Sequence, residues 1–389
     1  MPMKKIIFCC LLSSFFMAQA HAQTIDLLDD GTLTADTADK SSNTNDAAQT
    51  ISKQTENTDD SQDQNFLSFI TKPISLLFSA DDKVETADGK EETYLEKSTR
   101  QANEGNLDDQ MNLAYMYLYG SNGVKQDFAQ AFKYYEMAAN QNNPIALNNL
   151  GSLYFNGIGT DVNVPKSLEY FSKAAELGND NAATNLAFIY LKGGAKDPAR
   201  NKKAMDLFKK ASASGNNIAK FMLGYAYYIG FVYPQNYDKA FKLIQSAAKK
   251  NGQLDEAQIV LAEMYINGHG TVQNYIQGIN AYRAAVNQGN SEAYMKLADI
   301  YVKGQITPPN LIMAHSLYNV ASVQEEPGAA KKRDMIGKNL TLEQLLQAQT
   351  SAQNFKPTPS ELTIYVRRTF GFNIRNYINM NTLTTKESN

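Results

Sequence analysis

The sequence predicts an all-α protein whose body is a right-handed α-solenoid of about six helix-turn-helix repeats, and three observations carry that expectation. First, Leu-Gly/Ala-x-x-Tyr followed three residues on by Gly recurs at Leu113, Leu150, Leu186, Leu223, Leu261 and Leu297, with spacings of 37, 36, 37, 38 and 36 residues. A fixed period in that range marks two-helix units, each too small to bury its apolar face without its neighbours. Second, seventeen or eighteen residues after each leucine comes a small residue, then a large apolar one four further on, then Ala three beyond. The sets run from Ala131, Tyr135 and Ala138 through Ser167, Phe171 and Ala174 to Ala314, Tyr318 and Ala321. Offsets of four and three share one helical face, so this is the buried stripe of a second helix. Third, the residue after the leucine is always Gly or Ala, which lets the two backbones approach closely.

The flanking elements follow in chain order. Residues 1–22 read as a secretory signal peptide: a basic start at Lys4 and Lys5, an apolar run from Ile6 to Ala18 too short to span a bilayer, and Ala20-His21-Ala22 before Gln23. Residues 23–90 read as an acidic, largely disordered linker, because residues 23–100 carry 17 Asp/Glu against 7 Lys/Arg and few large apolar residues. An apolar island at 66–78 interrupts it, broken by Lys72-Pro73. Three uses are open for the island: docking back on the solenoid, peripheral contact with a membrane surface, or binding a partner. Residues 91–105 read as an N-terminal capping helix with Tyr94 and Ala102 on its face, since solenoid ends need an atypical unit.

The six repeats occupy 106–322, and capping helices follow over 323–355, one around Ala329–Ile336 and one opened by the capping box Thr341-x-x-Gln344. Pro357 and Pro359 then lead into a basic, aromatic tail, 356–389, with Arg367, Arg368, Phe370, Phe372, Arg375 and Tyr377. Basic residues among aromatics suit nucleic acid or anionic lipid. For an exported chain, packing on the last helix or contact with a partner is the better reading, and no nucleic acid is expected.

The pattern A…LG..Y..G…A..YY.KAA..G…A resembles Sel1-like repeats, relatives of tetratricopeptide repeats. Asn148 to Gly159 followed by Tyr170 to Gly178 is a nearly full copy, and the resemblance covers about 105–322. Departures are Ile244 for the usual aromatic, Gly278 at the small position, and Ser212 or Ser322 for the second Ala. The resemblance implies a tetratricopeptide-like geometry, a protein partner and a place in envelope regulation, peptidoglycan-enzyme control, polysaccharide assembly or host interaction. The cysteine-rich branch of the family, to which penicillin-binding or β-lactamase activity is attributed, staples its repeats with cysteine pairs. Here both cysteines, Cys9 and Cys10, lie in the leader, which sets that branch aside.

No catalytic, cofactor or metal motif emerges. Beyond the leader the histidines are His269, in the Gly268-x-Gly270 loop, and His315, in a different repeat. There is no Gly-x-Ser-x-Gly, His-Glu-x-x-His or P-loop pattern, and Gly157-Ile158-Gly159 sits where the repeat turns.

Function is therefore expected on a surface. First-helix positions two before and two after the signature leucine should line a concave groove if the family's geometry holds: Met111, Tyr115, Asn148, Ser152, Thr184, Phe188, Phe221, Tyr225, Ile259, Glu263, Met295 and Asp299. They vary between copies while the leucine stays fixed. Tyr115, Phe188, Phe221 and Tyr225 are either anchors for a bound peptide or filling between adjacent first helices, and Asn148 is placed to bond an extended backbone. The leading expectation is a non-enzymatic scaffold or adaptor of the bacterial cell envelope, in the periplasm, binding a partner protein in that groove. A secreted or surface-exposed virulence-associated factor contacting host proteins is the alternative. A cell-wall hydrolase or penicillin-interacting enzyme is disfavoured by the missing cysteines and catalytic residues.

Overall fold

The structure, a computed structural model, describes residues 79–85, 91–193, 197–249, 254–370 and 373–379. The expected leader, the apolar island 66–78 and most of the acidic segment lie outside them. A short antiparallel pair, β1 (Lys83–Glu85) and β2 (Glu91–Thr93), sets Lys83 opposite Thr93 and precedes α1 (Tyr94–Asn103). The expected capping helix thus starts at Tyr94 rather than Glu91, where Thr93 and Glu96 form a reciprocal capping box.

Five first-and-second helix pairs follow: α2 (Leu107–Tyr119) with α3 (Phe128–Asn140), α4 (Pro144–Asn156) with α5 (Val164–Glu176), α6 (Asp180–Gly193) with α7 (Pro198–Ala213), α8 (Asn217–Ile229) with α9 (Tyr237–Ala248), and α10 (Asp255–Asn267) with α11 (Tyr275–Asn287). The sixth pair is α12 (Ser291–Lys303) and α13 (Leu311–Val323); then come α14 (Ala329–Gly337), α15 (Leu342–Asn354) and α16 (Glu361–Phe370). The described chain falls into two compact units. One is Tyr294–Lys356; the other takes everything up to Ala293 together with the segment from Pro357 onward.

The repeat signature has a physical reason at each position. Its glycine closes the first helix in the left-handed region, with φ of 63° at Gly120, 66° at Gly157 and 78° at Gly230, so a side chain there would be strained. The small residue after the leucine faces the second helix: a Cβ on Gly151 would lie 2.9 Å from the Phe171 ring, and one on Gly224 2.8 Å from Ile244. All six signature leucines are buried, each contributing about 1.5–3 kcal/mol by its removal from water. The helix starts are closed as regularly. Asp127, Asn163, Asp197, Asn236, Asn274 and Asn310 each accept a backbone N–H at the start of a second helix.

In the unit Tyr294–Lys356, α13 packs on α14 and α15, and Tyr294 meets the Phe355 ring edge-on at 5.8 Å. Lys332 Nζ donates to both Asp299 oxygens at 2.6 and 2.9 Å, and the Tyr318 hydroxyl donates to the same carboxylate. His315 is buried, and burial with the nearby Arg333 holds its pKa below the ordinary histidine value. Among the described residues no helix is long and apolar enough to cross a membrane.

Candidate functional site

Five of the six first helices open on an asparagine that caps them through its side chain: Asn106, Asn143, Asn179, Asn216 and Asn290. The fifth repeat does not. Leu254 stands at the cap of α10 and offers no side-chain hydrogen bond, and two acids, Asp255 and Glu256, follow it. The missing bond is supplied from far along the chain. The Asp255 N–H donates to Thr363 Oγ1 at 3.2 Å, and that hydroxyl donates to Gln288 Oε1 at 2.6 Å. Thr363 lies on α16, so the tail finishes a helix 108 residues earlier.

The two acids are answered from the same segment. Arg367 Nη2 lies 2.6 Å from Asp255 Oδ2, which also accepts from Asn290 Nδ2 at 2.7 Å. Arg375 Nε donates to Glu256 Oε2 at 3.0 Å, its Nη2 bonds Glu292, and the Ile374 N–H donates to Glu256 Oε1 at 2.6 Å. The side chains of Asp255 and Glu256 are 3% and 2% exposed, so these charges sit where an unpaired ion would be costly. Burial raises the Glu256 carboxyl most, opposed by Arg375 and helped by Asp255, to about 7. Burial works to lower the Arg375 guanidinium, but Glu256 and Glu292 outweigh it and hold it above its ordinary value.

Apolar and aromatic contacts complete the seat. Phe370 stacks on Phe188 of α6 with centroids 4.0 Å apart, and Tyr377 meets the same ring edge-on at 5.0 Å. The Tyr225 hydroxyl donates to Asn379 Oδ1 at 2.8 Å, while the Arg375 guanidinium lies 5.9 Å from the Tyr225 ring centre. Leu362, Val366, Ile374 and Ile378 are buried in the core that the repeats form. Burial pushes the Tyr365 hydroxyl up to about 12, with Tyr119 of α2 close enough to add to the shift. The tail therefore packs on first helices of the repeats, which corrects the expectation that it packs on the last helix.

The expected groove residues divide accordingly. Phe188 and Tyr225 meet in one place with the tail between them and solvent. With the tail in place Phe221 and Ile259 are fully buried, Phe221 stacked on Tyr225 at 6.1 Å, and Tyr225 is only 8% exposed. Asn148 is buried, accepts from Asn185 Nδ2 at 3.0 Å and donates its own Nδ2–H to Asn149 Oδ1 at 3.2 Å, so its amide is already engaged on both sides. Thr184 is buried with its hydroxyl on the Asp180 carbonyl, and Ser152 donates to the Asn148 carbonyl. Met111 and Tyr115 are half-buried at the first repeat, Tyr115 beside Tyr119 at 4.6 Å. Glu263 is half-buried on α10, whereas Met295 and Asp299 belong to the other compact unit, Asp299 in its ion pair with Lys332.

The residues that make the seat, Asp255, Glu256, Gln288 and Glu292, lie outside the positions that the repeat register singled out. The available signal was the loss of asparagine at 254 followed by two acids, at the longest of the five spacings, 38 residues. Among the described residues no group of His, Cys, Asp and Glu is arranged to hold a metal. His269 stacks on Tyr237 at 4.2 Å with its Nδ1 3.4 Å from the Tyr228 hydroxyl, a place in the packing of repeats 4 and 5.

The comparisons with known proteins agree with this architecture. The crystal structure of c5321, a protective antigen present in uropathogenic Escherichia coli strains displaying an SLR fold, is 27% identical over 70% of this chain, with a TM-score of 0.62. This chain spans 58% of that one's length. A Sel1 repeat protein from Oxalobacter formigenes is 26% identical, with 59% of this chain and 99% of that chain covered and a TM-score of 0.51. No curated protein matches. The Sel1 repeat profile matches residues 108–143, 144–179, 180–216, 217–252, 255–290 and 291–322, more than half of the chain. With its register written into six leucines, six small neighbours and the glycines that end the first helices, the chain belongs to the Sel1 repeat family.

Proposed function

We propose that the protein is a non-enzymatic interaction scaffold of the cell envelope, exported by the leader at 1–22, whose first-helix face takes up a partner polypeptide. The observation that carries this reading is the seat of residues 361–370 and 373–379. That face already holds a polypeptide segment through two arginine–carboxylate pairs, a stacked phenylalanine and four buried aliphatic side chains. Repeat scaffolds of this kind work by presenting such surfaces. The test places a photo-crosslinking residue at Tyr119, which is exposed beside the tail helix, and at Lys209 on a second helix, in the full chain expressed with its own leader. A discrete adduct from position 119 and none from 209 is expected. Equal adducts from both positions, or recovery in the cytoplasmic fraction, overturn it.

One observation favours the second reading, a factor released to contact host proteins: the similar Escherichia coli chain is described as a protective antigen. Fractionation of culture supernatant against periplasm separates the two.

A further inference from the structure

We infer that residues 361–379 are a resident ligand of the repeat face, and that the partner taken up there is a polypeptide of the same chemistry, two guanidinium groups bracketing aromatic and aliphatic side chains, which displaces the tail. This rests on the scaffold reading and narrows it to a class of partner.

Three observations argue for it. The acceptor is built from charge: Asp255, Glu256 and Glu292 face Arg367 and Arg375; the first two open α10, the one first helix whose own cap is missing, and Glu292 stands at the start of α12, the first helix of the next repeat. Buried ion pairs are a poor source of net stability beside apolar packing, but they fix register and reject segments that lack the matching charge. That is the chemistry of recognition. Second, the tail is held as a ligand is held. Among the described residues, one backbone-to-backbone hydrogen bond, Thr358 N–H to the Asn287 carbonyl at 2.7 Å, joins it to the repeats, and the rest of its attachment runs through side chains. Its release would leave the backbone hydrogen bonds within the repeat helices intact. Third, the charges are complementary along the chain: residues 331–389 carry 9 Lys/Arg against 4 Asp/Glu, and the acceptor acids come from a balanced repeat region. A tethered tail acts at high effective concentration, so an outside segment competes only if the tail's own hold is modest or the segment's is stronger.

The test uses the full chain and a fluorescein-labelled peptide of residues 357–379 as the probe, read by anisotropy, with hydrogen exchange of the 361–379 amides reporting release of the resident segment. Wild type should bind the peptide weakly. Arg367→Ala/Arg375→Ala should expose the tail amides and tighten the apparent Kd on the order of tenfold or more, since the resident has lost both buried ion pairs and the probe keeps them. Glu256→Gln in that background should cancel the gain. Should the double variant fail to fold, Arg367→Ala alone should give a smaller shift of the same sign. The inference is overturned if the tail amides stay protected in the variants, or if they are released and the peptide binds no better. Light scattering that shows wild type pairing through exchanged tails would overturn it in favour of a second copy of this chain as the occupant. A variant that keeps its crosslinked partner while ignoring the peptide would sink this inference and leave the scaffold reading standing.

Discussion

The helices that open the second and fifth repeats share a register and are finished in different ways. In α4, Asn143 accepts the N–H groups of Ile145 and Ala146 at 3.0 and 2.9 Å, and Pro144 fits the first turn, where its missing donor is harmless. Everything that start requires lies within four residues. In α10 the cap is Leu254, and the bond comes from Thr363, with Arg367 and Arg375 neutralising the acids beside it. A start closed locally can stand in any repeat. A start left open couples its helix to a segment more than a hundred residues away, and that coupling marks the candidate binding face.

The contrast can be broken most severely at Arg375. Replacing it by Ala leaves Glu256 buried without its main partner, and a loss of about 3–5 kcal/mol is expected in urea unfolding. A loss near that of a surface residue would mean that the tail does not dock as described. Leu150→Ala, in the locally closed repeat, should cost about 2–5 kcal/mol through a cavity. It should leave hydrogen exchange at 361–379 at its wild-type rate relative to global unfolding, whereas Arg375→Ala should expose those amides first.

The two caps compare directly. Thr363→Val keeps the shape and removes the hydroxyl between the Asp255 N–H and Gln288, which should lower stability by about 1–3 kcal/mol. Asn143→Ala removes a local cap at about 1 kcal/mol. Were the first change to match a neutral substitution in thermal melts, the view of the tail as a remote cap would fail. The smallest expected effect is that of pH. Burial raises the Glu256 carboxyl from its ordinary 4.5 to about 7 in the folded chain, against the opposing pull of Arg375, so the fold holds a proton that the unfolded chain gives up. Its contribution to folding stability is therefore full below about 4.5 and is lost as pH rises through about 7. In urea unfolding, wild type should gain stability relative to Glu256→Gln on going from pH 8 to pH 5, and an unchanged difference would remove this carboxyl as the source.

Much of the fold could be read in the chain. Leu223 and Gly224 announce a buried contact with a second helix, and Gly230 announces the end of the first, because each requirement is local and repeats with the period. The asparagines and aspartates at the helix starts were equally open to view, from Asp127 to Asn310, and their regularity is what makes Leu254 stand out. The groove positions were less legible. The same offset from the leucine leads to a buried ring stacked on Tyr225 at Phe221, to a hydrogen-bonded pair at Asn148 with Asn185, and to a ring covered by the tail at Phe188. Tyr225 reads as open from its register and is bonded to Asn379, a residue that no local pattern connects to it.

The sequence by itself determined the number of repeats, the helix ends and the residues packed within each pair, because a helix face and its caps are decided within one or two turns of chain. It also placed arginines and aromatics together beyond Pro359. Only the tertiary structure decided where they go. Arg375 meets Glu256 across 119 positions through a match of charge, shape and burial that neither segment contains alone, and closing so long a loop costs little more entropy than closing a short one. Periodicity can find what repeats, and the seat of the tail lies at the one first-helix start where the repeat departs from its own rule.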